Sequence, residues 1–87
     1  MNFDVWWIPA AEDQLAEIWM AAADRAAVTQ AADRIDTELA ADPLGVGESR
    51  PDRYRVLIEM PLVVYYEVSE PDRRVRVLRV VAARTLS

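Results

Sequence analysis

Every basic residue of this chain is an arginine, ten in all, and there is neither a histidine nor a cysteine. Arginine stays charged at any accessible pH and grips planar anions, phosphate or carboxylate, through two parallel N–H donors. GC-rich coding also replaces lysine by arginine, so the bias by itself is open to both readings. Without histidine the usual proton shuttle near neutral pH is gone, and without cysteine there are no disulfides or thiolate nucleophiles. Together these absences remove most zinc and iron ligand sets, and no metal or cofactor is expected. Arg50, Arg79 and Arg84 have no obvious carboxylate partner in the sequence, whereas Arg55 and Arg76 are expected to flank Glu67. That row reads either as a binding surface or as a solvated ladder of cross-strand ion pairs.

The charge is divided along the chain. Residues 10–42 carry eight acids against Arg25 and Arg34, while residues 43–87 carry eight arginines against six acids. The net charge of −5 argues against indiscriminate binding to nucleic acid or anionic membrane, so any anion recognition belongs to the second half alone. With 53% hydrophobic and 29% charged residues in 87, the composition is that of one globular domain spanning residues 1–87. No apolar run is long enough to span a membrane, and Asp4 stands where a signal peptide would carry basic residues. The chain reads as cytoplasmic.

The elements that must position the arginines follow from periodicity. Residues 2–7 are aromatic and β-branched enough for a strand. Pro9 fits the first position of a helix whose dipole Glu12 and Asp13 complement. Ala11, Leu15, Ile18, Trp19 and Ala22 then form one stripe, with the helix ending near Ala23. Asp24 is an N-cap for a second helix with Val28, Ala31, Ala32, Ile35 and Leu39 on one face, stopped by Asp42-Pro43. The short connection makes an antiparallel hairpin, in which Leu15, Trp19, Ile35 and Leu39 supply most of the buried area. Trp19→Ala is expected to be severe.

Residues 43–51 hold both glycines and read as the most flexible stretch, with a short edge strand ending at Arg50. Three alternating runs follow. Tyr54, Val56, Ile58 and Met60 are placed inward and Arg55, Leu57 and Glu59 outward; Leu62, Val64, Tyr66 and Val68 are inward. Glu70-Pro71-Asp72-Arg73 is a type I turn into a last strand from Arg74 to about Ala83. If Glu70 pairs with Arg73, then Glu67 meets Arg76 and Tyr66 meets Val77. Continued unchanged, that register forces Arg79 into the core, so a β-bulge is expected near Val77-Leu78. A tight turn about Pro61 then puts Arg55 beside Glu67. The expected fold class is α+β: a strand, a helical hairpin, then a three-stranded antiparallel meander.

This order of elements resembles the RelE/ParE superfamily of toxins from bacterial type II toxin-antitoxin pairs. The resemblance is carried by residues 9–15 leading into Glu17-Ile18-Trp19, by residues 35–43 followed by Gly47 and Arg50, by Arg55-Val56-Leu57, by residues 61–68 and by residues 75–80. It implies a sheet cupped over the helical hairpin and a cognate antitoxin as partner. RelE-like members cleave messenger RNA on the ribosome, and ParE-like members inhibit DNA gyrase without chemistry. Arg50, Arg55, Arg79 and Arg84 match the family's basic positions and would stabilise phosphorane charge. Because arginine is no base, a proton acceptor would have to be Tyr65, Glu67 or Glu59. Three functions follow: a toxin acting on translation through the arginine face, by cleaving messenger RNA or occupying the ribosomal site; a ParE-like gyrase inhibitor; and a non-toxic interaction module.

Overall fold

In the computed structural model, which describes residues 2–51 and 53–83, two helices pack on one face of a five-stranded sheet. The elements run β1 (Asp4–Trp7), α1 (Pro9–Ala21), α2 (Arg25–Ala41), β2 (Glu48–Ser49), β3 (Arg55–Glu59), β4 (Leu62–Ser69) and β5 (Arg74–Ala82). The spatial order is β1-β5-β4-β3-β2. β1 lies parallel to β5, and all other neighbours are antiparallel. The expected strand, hairpin and meander are present, joined by β2 at one edge and β1 at the other.

The helices start and stop for local reasons. Pro9 opens α1 behind Ile8, which offers no side-chain cap. α1 ends two residues earlier than its periodicity suggested, because Arg25 donates from Nε and Nη2 to the last carbonyls, Trp19 O and Met20 O, at 3.1 and 3.0 Å. Asp24 caps α2, its Oδ1 accepting from the Ala27 N–H at 3.0 Å. The α2 face is as read: Val28, Ala31, Ile35 and Leu39 are all buried. On α1 only Ala11 is fully buried, and Trp19 is 40% exposed. Trp19 covers the surface of the hairpin and donates to Thr29 Oγ1 at 3.2 Å, so its loss is expected to be milder than a core deletion.

The β4–β5 register matches the reading from the Glu70-Pro71-Asp72-Arg73 turn, with Val68 opposite Val75, Glu67 opposite Arg76 and Tyr66 opposite Val77. At the next step Tyr65 faces Arg79, so Leu78 is the extra residue of the bulge, and Val80 returns inward at 2% exposure. A bulge strands a backbone donor; here the Val80 N–H finds Gln14 Oε1 on α1 at 2.9 Å. Gln14, a polar residue inside the α1 stripe between Ala11 and Ile18, was the sequence's unexplained sign of this contact.

β3 is reversed relative to expectation. Met60-Pro61, a cis pair, forms a two-residue loop closed by Glu59 opposite Leu62, so Arg55 faces Tyr66 and Leu57 faces Val64. A shift of one residue exchanges the faces of a strand. Leu57 is buried at 5% exposure in the main core, whereas Ile58 is 64% and Met60 48% exposed. Val56 is buried too, but on the outer face beside Tyr65. Arg55 therefore does not lie beside Glu67, and the expected Arg55–Glu67–Arg76 row is reduced to Glu67 and Arg76.

Candidate functional site

The arginines divide between the two faces of the sheet. Arg55 points to the helical side, where its Nη2 donates to Leu44 O at 2.7 Å and Gly47 O at 2.9 Å. The buried Tyr66 hydroxyl donates to Pro43 O at 2.6 Å, and burial raises its pKa, against an opposing effect from neighbouring Arg55. Asp42 closes the other end, accepting from Gly45 N–H through its carbonyl and Oδ1 and from Val46 N–H through its carbonyl. Gly47 permits the close approach: a Cβ there would strike the Tyr66 hydroxyl and come within 3.0 Å of Val56 O. Residues 43–47, part of the stretch expected to be flexible, are thus stapled to the sheet by Tyr66, inward as the alternating pattern placed it, and by Arg55, which that pattern had placed outward.

Glu59 also faces the helices. Its Oε1 accepts from Arg34 Nε at 2.8 Å, and Arg34 Nη2 reaches Met60 O at 3.2 Å, tying α2 to the β3–β4 loop. Glu38 hydrogen-bonds the same carboxylate. That bond, then burial and the Glu59 charge, raise the Glu38 pKa above its ordinary 4.5, with Arg34 opposing. The bond from Glu38 and the one from Arg34 lower that of Glu59. Glu38's proton stabilises the fold in acid, and the benefit fades as pH rises through its raised pKa. Glu59's contribution is present above the ordinary carboxylate range and is lost as pH falls through its depressed pKa. A Glu38→Gln variant keeps a donor without needing a proton. Its unfolding free energy should gain on the wild type as pH rises from about 4 to about 7, by a few tenths of a kcal/mol for so solvated a pair, read by denaturant unfolding at each pH; equal pH dependence of the two proteins would contradict the shared proton.

On the outer face, Arg76 pairs with Glu67 through Nε at 2.7 Å and through Nη2. Arg79 lies over the Tyr65 ring, 5.6 Å from its centroid, and the Tyr54 ring stands 5.8 Å from Tyr65 at 55°. Arg50 sits at the β2 edge with an exposed Glu48 partner at 3.2 Å, not unpartnered as expected. Three strand spacings separate β2 from β5, roughly 14 Å at about 4.8 Å each. Arg84 lies outside the described residues. Of the predicted site residues, then, Tyr65 and Arg79 are brought together, Arg50 stands apart, and Arg55 is on the other face. Of the candidate bases, Glu59 is turned away and Glu67 is held by Arg76. Among the described residues no three carboxylates gather as a metal site, and no helix is long and apolar enough to cross a membrane.

A groove that sequence reasoning missed runs between β1 and the helical hairpin. It holds about 570 Å³ and is walled by Trp6, Trp7, Trp19 and Leu15, with Asp33 and Asp36 at its rim. Trp7 Nε1 donates to Asp36 Oδ1 at 2.7 Å, which fixes the indole across the groove.

The arrangement of hairpin and sheet is found in chains from two toxin-antitoxin structures. RelBE2 from Mycobacterium tuberculosis superposes with a TM-score of 0.78 at 16% identity, over 94% of this chain and 92% of that one. The chromosomal ParDE system of P. aeruginosa gives 0.70 at 15%, over 94% and 97%. TrmO from P. aeruginosa gives 0.62 at 26%, over 93% of this chain but 34% of that one, so the fold also occurs as part of a longer protein. These likenesses are of fold. Residues 5–86 match the family described as "ParE toxin of type II toxin-antitoxin system, parDE", and the chain belongs to that family. A search of curated proteins finds no match.

Proposed function

We propose that this toxin acts by binding rather than by chemistry, inhibiting DNA gyrase as the ParE-like resemblance implies, and that a cognate antitoxin restrains it. One observation carries the reading: among the described residues, those suggested for RNA cleavage do not converge. Arg55 and Glu59 face the helices, and Glu67 is engaged by Arg76. Cleavage by a ribose hydroxyl needs an acceptor and cations around one phosphate. The pair left on the outer face, Tyr65 and Arg79, offers contact but no free carboxylate.

The tryptophan groove suits the antitoxin. Its apolar walls and acidic rim match a segment that alternates apolar and basic side chains, and β1 beside it is an edge strand able to accept another. The reading on translation retains one supporting feature, since an arginine over a tyrosine can serve a nucleotide's base and phosphate together. Purified chain added to a gyrase supercoiling reaction and, separately, to a translation reaction with primer-extension readout decides between them. Loss of supercoiling with intact messenger is expected. Messenger cleavage with normal supercoiling would overturn the proposal, and normal growth after induction would favour the non-toxic module.

A further inference from the structure

An antiparallel sheet covered by helices on one side ordinarily turns polar residues to the water on the other. Here a register row on the uncovered face is apolar across three strands: Ile58 opposite Val63, and Val63 opposite Val81. Ile58 is 64% exposed, and Val63 and Val81 are half-buried with no described element over them. The adjacent row runs Val56, Tyr65, Arg79. Arg79 has no carboxylate partner among the described residues, its guanidinium resting only on the Tyr65 ring. The result is a flat apolar strip edged by an aromatic pair and one uncompensated cation, the composition of a protein-binding hot spot.

We propose that this strip is where the toxin holds its target, and that it takes a protein segment presenting apolar side chains next to a carboxylate. The inference rests on the binding mode proposed above and adds the surface and the chemistry of what docks there. Charge complementarity selects the occupant. Nucleic acid is held by several unpaired cations along its phosphates; the other arginines of this face, Arg53, Arg74 and Arg76, gather at the β4–β5 turn among Glu67, Glu70 and Asp72, with Arg76 paired to Glu67, while Arg79 borders the apolar row. An unstacked base needs an open aromatic face, and Tyr65 shares its ring with both Arg79 and Tyr54. A carboxylate at Arg79 with apolar neighbours over Ile58 and Val63 uses every feature of the strip. The tryptophan groove lies toward the helical side, so the two surfaces serve different partners.

The test compares wild type, Ile58→Asp, Arg79→Glu and, as a control on α1, Glu17→Gln, by growth arrest after induction and by inhibition of purified gyrase. Melting curves accompany each, and Ile58→Thr serves if the aspartate variant does not fold. Both strip variants should need at least about tenfold more protein for half-inhibition, with Glu17→Gln unchanged. Strip variants as potent as a toxic wild type would overturn the surface while leaving the binding mode standing. Wild-type arrest without gyrase inhibition, abolished by Ile58→Asp, would keep the surface and remove gyrase as its target. Loss of a wild-type dimer on Ile58→Asp would mean that a second copy covers the strip, and would overturn the proposal.

Discussion

Arg55→Ala should lower the stability of this protein by about 3 kcal/mol, because a charged donor and the partners of two carbonyls disappear together from a half-buried site. For a domain of this size that is a fall in melting temperature on the order of 10–20 °C. Arg55→Lys should recover little of it, since an ammonium cannot reach Leu44 O and Gly47 O with the planar geometry of a guanidinium. Tyr66→Phe, which leaves Pro43 O without its donor, should cost about 1 kcal/mol through the same loop. The outcome separates two roles for one residue. An arginine that stabilises a phosphorane would lose activity with unchanged melting; Arg55 should lose both in proportion, and unchanged melting of Arg55→Ala would refute the staple.

The second large effect is a contrast between neighbours in β3. Leu57→Ala should destabilise by about 2–4 kcal/mol, since Leu57 is 5% exposed and packs in the main core. Ile58→Ala should cost under about 1 kcal/mol. Urea or thermal unfolding of the two variants checks the register directly, because the one-residue alternative predicts the opposite order. The same contrast explains why an aspartate can be tolerated at position 58 and not at 57.

How far the sequence could be read depended on whether each strand carried a residue intolerant of the wrong face. β5 did: Arg79 could not enter the core opposite Val64, and that single impossibility located the bulge. The helices carried wide apolar stripes bounded by Pro9, Asp24 and Asp42-Pro43, so their faces and limits were legible to within about two residues. β3 carried no such constraint. Val56, Leu57 and Ile58 are all apolar, so alternation could not choose between faces, and the loop length at Met60-Pro61 decided. That choice also fixed the fate of the candidate site. With β3 turned over, Arg55 and Glu59 find partners on α2 and in the 42–47 loop, contacts that no local pattern encodes. Net charge by segment was informative, yet it could not distinguish an arginine that binds a ligand from one that binds its own backbone. The Trp19 reading failed for a related reason: helical spacing shows that a residue lies on the stripe, not how far from the stripe's centre it sits.

The parallel pairing of β1 with β5 has a temporal consequence. Asp4 opposite Arg74 and Trp7 opposite Val77 join the first strand to be synthesised with the last. While a ribosome is still making this protein, β1 has no partner strand, Val5 and Trp7 have no Val75 or Val77 beside them, and only its contacts with α2, such as that of Trp7 with Asp36, can hold it at the hairpin. The sheet closes on β1 only after β5 has emerged, although every residue lining the groove precedes β5 in the chain. If the groove is what the antitoxin recognises, the strand that walls it is locked into the sheet only once β5 is in place.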